Sequence, residues 1–170
     1  MWTDEAVVIG ARPHGENDVV AALLTRRRGL HLGLVHGGRG RRKAASVQLG
    51  TRVAATWKAR REEALGFYAL EETAASPARD KGSAIGLTAA CGLVRALLPE
   101  REENPAIFEA FAALMADFTR PRFLAFEAFA VSALGYGSPA NPAALPALLA
   151  GHGIRVDLSL RNMYLTLDLS

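Results

Sequence analysis

The sequence predicts an α+β protein in which a small barrel or sandwich of short strands precedes a helical segment. Apolar residues alternate or form short runs between glycines up to about residue 73, and they recur at helical spacing after residue 77. Charge divides the chain near the same place. Residues 1–61 hold 12 Lys+Arg and 4 Asp+Glu, whereas residues 62–170 hold 8 and 13. The two parts are therefore expected to differ in structure and in role.

Five short strands are expected in the first part. Apolar runs at residues 6–9 and 19–24 end at turns that contain glycine, and residues 30–34 alternate leucine with other residues. Residues 50–60 alternate between an apolar and a basic face, and residues 65–70 supply the fifth run. Many short strands joined by glycine turns favour a small barrel or sandwich.

Three helices are expected after the strands. Apolar residues have helical spacing over residues 85–98, 107–118 and about 122–134. Pro99 ends the first helix, and Asn104, which a proline follows, is suited to cap the second.

We expect the chain to divide into a barrel domain at residues 1–76, a helical domain at residues 77–137 and a tail at residues 138–170. Three prolines fall within residues 139–146, and the tail ends in an apolar stretch. The sequence predicts no fold for this tail.

Composition indicates a globular protein of the cytoplasm. Half of the residues (50%) are hydrophobic and 22% are charged, which allows a core to form. The single cysteine, Cys91, excludes a disulfide framework and a zinc site made of CxxC pairs. Asp4 and Glu5 stand where a secretion signal is basic, and no uncharged apolar run reaches the roughly 18 residues of a membrane span.

Positive charge is densest on the glycine-rich residues 36–43, between two predicted strands. This segment carries Arg39, Arg41, Arg42 and Lys43. Glycine lets the backbone bring guanidinium groups to phosphates, and each neutralised phosphate releases counterions. The segment therefore predicts sequence-independent nucleic-acid binding, with a solvated charge run as the alternative.

Further cations are expected to extend this segment into a continuous basic surface. They follow the second predicted strand or lie on the outer side of the fourth: Arg26, Arg27, Arg28, Arg52, Lys58 and Arg60.

Trp57 is a candidate platform for stacking a base, since aromatic side chains beside basic grooves hold single strands. It also lies on the apolar face of its strand, so packing in the core is the competing interpretation. Phe67 and Tyr68 have the same ambiguity, although one of two neighbours in a strand must point outward.

The sequence favours a protein that is not an enzyme. Its glycine run lacks the Gly-Lys-Ser/Thr of a phosphate loop, and no Gly-x-Ser-x-Gly elbow occurs. The four histidines are scattered, so no metal or other cofactor is expected. The acidic pairs Glu62-Glu63, Glu71-Glu72 and Glu102-Glu103 are expected on solvated surface. A hydrolase whose site is assembled from distant residues is an alternative that metal-dependent turnover of DNA would reveal.

Several segments of the chain resemble the amino-terminal domain of the RecO family. The likeness is most specific in the first 60 residues and extends more loosely to about residue 137. Its segments are residues 2–9, 12–16, 24–25, 29, 37–38, 48–50, 57–60, 97–102, 126–127 and 134–137. The resemblance implies an OB-fold barrel, whose face and loops commonly bind nucleic acid.

The resemblance also implies a role as a recombination mediator in DNA repair. Members of the family bind single- and double-stranded DNA, anneal complementary strands, contact the acidic tail of single-strand binding protein, and join RecR to load RecA in a RecF-type pathway. None of these steps needs a cofactor, and they take place at the nucleoid, in the bacterial cytoplasm. The residues assigned to DNA on this basis are Arg39, Arg41, Arg42 and Lys43, with Lys58 and Arg60 as flanking support. Arg27 is also expected to bind DNA.

The carboxyl-terminal part departs from the family. Relatives extend well beyond the segment at residues 134–137 and some hold zinc there, whereas this chain has one cysteine and 33 residues after Gly137. We therefore expect a shortened member with an atypical tail, produced by truncation or a shifted reading frame.

Two rival functions use the same features. An RNA-binding OB module would employ the same cations and aromatic residues, and comparing the affinities for DNA and RNA of one sequence discriminates it. A protein-interaction domain predicts that mutation of residues 36–43 leaves nucleic-acid binding unchanged.

Overall fold

Five strands form a closed barrel at the amino terminus. The computed structural model describes residues 1–61 and 64–169, so the predicted surface pair Glu62-Glu63 lies outside the described residues. The strands are β1 (Trp2–His14), β2 (Asp18–Thr25), β3 (Gly29–Val35), β4 (Arg52–Lys58) and β5 (Gly66–Ala74). Their order around the barrel is β1-β2-β3-β5-β4, and each pair is antiparallel except β3 with β5. This is the topology of an OB-fold, which confirms the predicted fold class.

The long first strand closes the barrel. It pairs with β4 from Trp2 to Val7 and with β2 from Ala6 to His14, and its register shifts between Val8 and Gly10. Because a bulge of this kind bends a strand, one strand can serve both neighbours.

Two apolar cores meet at the barrel wall. Val8, Leu23 and Trp57 point into the barrel, whereas Ile9 and Leu24 point outward into a core shared with the helices. The runs at residues 6–9 and 19–24 are therefore buried on both faces, which explains why they are continuously apolar rather than alternating.

Three helices follow the barrel, as the sequence predicts. They are α1 (Lys81–Leu97), α2 (Pro105–Ala116) and α3 (Arg120–Ala133). Asp80 accepts a hydrogen bond from the Ser83 backbone amide at 2.8 Å in a capping box, so α1 begins before the apolar spacing does. Asn104 caps α2 through the Ile107 amide at 3.1 Å, which confirms the predicted cap.

The tail, for which the sequence predicts no fold, packs against the preceding helices. It contains a 3-10 turn (Pro142–Ala144), α4 (Leu145–Gly151) and α5 (Ser159–Thr166). The Tyr164 ring lies so close to Gly86 of α1 that a β-carbon on that glycine would be 2.7 Å from it. Tyr164 also meets the Phe123 ring of α3 edge-on, with 5.3 Å between centroids. Among the described residues no helix is both long enough and apolar enough to cross a bilayer.

Candidate nucleic-acid interface

The basic loop, residues 36–44 between β3 and β4, is folded against the turn that joins β1 to β2. The Arg39 amide donates to the Asn17 carbonyl at 3.1 Å, and the Gly37 amide donates to Asp18 Oδ1 at 2.9 Å. Gly37 adopts a φ of 64°, a value that suits glycine. Gly38 lies against Val19, where a β-carbon would come within 2.9 Å. The glycines thus let the loop pack closely and hold its arginines at a defined place.

The cations of the basic loop have no carboxylate partner among the described residues. Arg41 and Arg42 are exposed, Arg39 Nη1 donates to the Gly15 carbonyl at 3.2 Å, and Lys43 Nζ donates to the His36 carbonyl at 2.6 Å. A cation that is bonded only to neutral carbonyls keeps its full charge. These four side chains therefore keep their attraction for phosphate.

Asp18 contacts the start of the basic loop, and its carboxylate is occupied. The Gly37 amide, followed by the His36 ring, lowers the pKa of Asp18 below its ordinary value. Its oxygens accept from that amide at 2.9 Å and lie 3.3 Å from His36 Nδ1. Asp18 therefore orders the start of the loop instead of pairing with its arginines.

Phe67 links the basic loop to the strand cation Lys58. Its ring is 42% exposed and stacks on His36 with 4.4 Å between centroids and 18° between planes. Phe67 is the second residue of β5, and its register partner on β4 is the exposed Lys58. Arg60 and Arg61 follow Lys58 in the connection to β5, and both are exposed.

Six of the predicted site residues are exposed cations on the basic loop, at the end of β4 or just after it. Together with Phe67 we call them the basic face: Arg39, Arg41, Arg42, Lys43, Lys58 and Arg60. From the sequence, Phe67 is a candidate both for base stacking and for core packing, and Arg61 is not assigned to the site. The signal for an exposed Phe67 is the alternation of β5, because neighbouring side chains of a strand point to opposite faces and Tyr68 is only 4% exposed.

Arg27 lies apart from the basic face. It belongs to the turn between β2 and β3, and its amide donates to Asp4 Oδ2 at 2.7 Å. The basic loop begins at the other end of these strands, roughly 20 Å away along β2 at the ordinary rise per residue.

The predicted continuous basic surface is wrong, because Glu5 interrupts it. Glu5 binds Arg26 at 2.8 Å and also binds Arg52, and Arg26 has a second partner in Glu109 of α2. Hydrogen bonding from Arg26 is the main cause that holds the pKa of Glu5 below its ordinary value. Two cations that the sequence assigns to the surface are therefore neutralised.

The assignment of Trp57 to base stacking is also corrected. Its side chain is 3% exposed, lies inside the barrel and stacks on Trp2 with 5.7 Å between centroids. The alternation with Val53 and Ala55 places Trp57 on the inner face, as the core-packing interpretation holds. A base has no free face of this ring to meet, and Phe67 is the exposed aromatic residue instead.

Among residues 1–61 and 64–169, no three His, Cys, Asp or Glu side chains gather as a metal site would require. Burial raises the pKa of the Cys91 thiol to about 12, so this cysteine is held in its protonated, unreactive form.

Comparison with known proteins supports the resemblance seen in the sequence. Residues 1–76 match the family model described as "Recombination protein O N terminal". A protein of Methylobacterium nodulans named "DNA repair protein RecO" is 44% identical over 145 residues, which is 81% of this chain. The chain belongs to the RecO family. A relative of the same name from Rhodospirillum centenum is 52% identical over 116 residues, or 66% of the chain.

The chain spans about half the length of the RecO relatives it matches. The aligned segments cover 58% of the Methylobacterium nodulans protein and 46% of the Rhodospirillum centenum protein. A third RecO, from Afipia carboxidovorans, is 43% identical over 80% of the chain and 57% of its own length.

Proposed function

We propose that this chain is a DNA-binding recombination mediator that acts in DNA repair. The observation that carries the proposal is the basic face, in which six exposed cations have no carboxylate partner among the described residues and an exposed phenylalanine lies on the same OB-fold barrel. Cations that release counterions from phosphates provide affinity for any sequence, and an exposed ring adds stacking with single-stranded bases. The names of the RecO relatives support the same role.

The mechanism is charge shielding and needs no catalytic group. Two complementary strands repel each other through their phosphates, and a surface that neutralises phosphates lowers this repulsion. A strand whose phosphates lie on Arg41 and Arg42 would keep its bases free on the side away from the protein, apart from a base stacked on Phe67, so a second strand can pair with it. The protein is thus proposed to anneal strands without a nucleophile, a metal or a cofactor.

The partners follow from the same role. Residues 1–76 would hold the DNA, while the helical part at residues 77–137 would serve packing and protein contacts. We propose that the chain joins RecR, binds the acidic tail of single-strand binding protein, and helps to load RecA in a RecF-type pathway. Such work takes place at the nucleoid, in the cytoplasm.

The test is fluorescence anisotropy of a labelled single-stranded DNA over a salt series. We compare the wild type with Arg41→Ala/Arg42→Ala/Lys43→Ala. Each lost contact with a single strand removes about 0.7 from the slope of log affinity against log salt, so the triple variant is expected to flatten it by about 2. Wild-type binding that does not depend on salt, or a variant with an unchanged slope, would refute the proposal.

A matched control removes three charges elsewhere. Arg79, Lys81 and Arg155 are exposed cations outside the barrel. Their triple alanine variant is expected to keep the wild-type slope. An RNA oligomer of the same sequence forms the second arm, and tighter binding of RNA would favour the rival RNA-binding role. Annealing of complementary labelled strands, compared between the two triple variants, then tests the mediator activity itself.

A further inference from the structure

Two aromatic rings stack on the outside of the barrel, where β3 ends beside β5. The ring of His36 lies nearly parallel to that of Phe67, with 4.4 Å between centroids and 18° between planes. Leu34 of β3 is the register partner of Phe67, and side chains two residues apart on a strand share a face. His36 therefore follows Leu34 on the outward side, and the closure of the barrel between β3 and β5 brings the two rings together.

A carboxylate holds the His36 ring at its edge. Val19 of β2 pairs with Val35 of β3, so Asp18 lies opposite His36 one residue beyond this ladder. Asp18 Oδ2 is 3.3 Å from His36 Nδ1, and Asp18 Oδ1 accepts from the Gly37 amide at 2.9 Å. A ring that is already fixed at one edge and on one face loses little further freedom when a ligand binds. The His36 ring is thus oriented before any ligand arrives.

The outer face of the His36 ring is open to a ligand. One face rests on Phe67, and the side chain of His36 is 64% exposed. A flat ring with a second ring beneath it and water above it is suited to stack on a planar aromatic group. Nucleic-acid bases are such groups, and histidine is among the side chains on which unstacked bases lie.

A cation lies beside each of the two rings. Lys43 Nζ donates to the His36 carbonyl at 2.6 Å. Lys58 of β4 is the register partner of Phe67, and the Cα atoms of such partners are about 5 Å apart. An apolar peptide side chain would gain from the rings alone, whereas a nucleotide gains from the rings through its base and from the cations through its phosphate.

We propose that His36 and Phe67 form a base-stacking platform, in which one unpaired base of a single strand lies on the outer face of the His36 ring. The base thus reaches Phe67 through the imidazole, and Asp18 is a positioning residue that keeps the imidazole in place. This inference rests on the proposed function for the strand itself and adds the residue that meets the base. Because a duplex keeps its bases stacked inside, the platform favours single strands.

The first experiment separates the base from the phosphates. Fluorescence anisotropy compares labelled oligothymidylate with an abasic oligomer of the same length, which carries the same phosphates. His36→Ala is expected to bind oligothymidylate about tenfold more weakly, the effect of losing one stacked base, and to bind the abasic oligomer like the wild type. His36→Phe keeps a ring and should retain most of the affinity. His152→Ala removes an exposed histidine of the tail that meets Tyr136 edge-on, and it should change neither affinity.

Two results with His36→Ala would overturn the platform. Equal weakening of both oligomers would mean that His36 only orders the basic loop. Stronger binding of oligothymidylate would mean that the imidazole covers Phe67 and must move aside for a base.

The same titrations distinguish failure of the platform from failure of the proposed function. Arg41→Ala/Arg42→Ala/Lys43→Ala should weaken both oligomers alike, because both carry the phosphates. Wild-type binding that depends on salt but is equal for the two oligomers refutes the platform and leaves the charged interface standing. Binding of neither oligomer refutes both.

The second experiment observes the contact by nuclear magnetic resonance. A base stacked on the imidazole shifts the ring-proton signals of His36 upfield through its ring current, which a merely structural role of His36 would not do. The chain has four histidines, and the signals of His36 are those that His36→Phe lacks. Oligodeoxyadenylate, whose purines have strong ring currents, is expected to cause a saturable upfield shift, whereas the abasic oligomer is not. Saturated binding of oligodeoxyadenylate without this shift would overturn the proposal.

Discussion

Arg161→Met is expected to destabilise the protein by about 3–5 kcal/mol, the usual cost of removing one partner of a buried ion pair. Arg161 and Glu127 are both 4% exposed, and Arg161 Nε donates to Glu127 Oε2 at 2.7 Å. Arg161 Nη2 also donates to the Pro142 carbonyl at 2.8 Å. The variant leaves a buried carboxylate on α3 without its cation and frees two tail segments. For a chain of this size the melting temperature should fall by about 6–20 °C.

The loss should depend on pH through Glu127. Burial raises the pKa of Glu127 above the ordinary value of 4.5, and Arg161 offsets part of that effect. Without the arginine, only the raising effect of burial remains. A carboxyl whose pKa is raised by folding gives its full stability below the ordinary pKa and loses it as pH rises through the folded pKa. Urea denaturation should therefore show a larger difference from wild type at about pH 7 than at about pH 5.

Two further variants make the reasoning refutable. Glu127→Gln keeps an oxygen that can accept from Arg161 but leaves the buried guanidinium without its counter-charge, so it should also destabilise the protein. Because it has no carboxyl at this position, its loss should lack the pH dependence of Arg161→Met. Glu127→Leu combined with Arg161→Met replaces the pair by apolar groups and should recover most of the stability. A loss below about 1 kcal/mol for Arg161→Met, equal at both pH values, would mean that the tail does not pack on α3 in this way.

Three other predictions test separate contacts. Gly29→Ala should cost more than Gly15→Ala: both glycines have a φ of 64°, but a β-carbon at Gly29 would lie 1.9 Å from the Glu102 carbonyl oxygen and one at Gly15 would meet nothing within 4 Å. Equal losses of unfolding free energy for the two variants in chemical denaturation would contradict the packing of Glu102 on the β2–β3 turn. The buried Cys91 should react with a thiol reagent only as fast as the protein unfolds, and prompt reaction would show an open core. Phe67→Ala should weaken the binding of single-stranded DNA by about 1–3 kcal/mol and the binding of duplex DNA by less, and titrations with both DNAs would measure the difference. Equal losses for the two DNAs would speak against stacking.

The barrel could be predicted because its signals are local. Alternation identifies β4, and the turn glycines separate the other strands. The packing partners of the outer face of residues 6–9 could not be predicted from those residues, because they belong to helices that lie far along the chain.

The tail was unpredictable for the opposite reason. Helices α4 and α5 have seven and eight residues and no side-chain cap, so little in their own sequence favours a helix. They are held by distant contacts, with Tyr164 on Gly86 and Arg161 on Glu127. Such pairs join residues far apart in sequence, and no local pattern indicates them.

The site was predictable as a charged segment but not as a surface. Which cations stay unpaired depends on strand register, which sets Glu5 between Arg26 and Arg52. The inward direction of Trp57 depends on which face of β4 closes the barrel.

The ion pairs at the junction of the barrel with the helices show where positive charge is neutralised and where it is not. Arg26 lies between the barrel and α2, where Glu5 and Glu109 bind it and the Phe108 ring lies 4.6 Å from its guanidinium. The acids thus neutralise a cation at the junction with the helices, where an unpaired charge would be partly desolvated. Arg41 and Arg42 are exposed to water and need no partner there. Positive charge therefore remains unpaired where a polyanion can approach it. Glu109→Lys should accordingly disturb the packing of α2 on the barrel at Arg26 and leave the basic face unchanged.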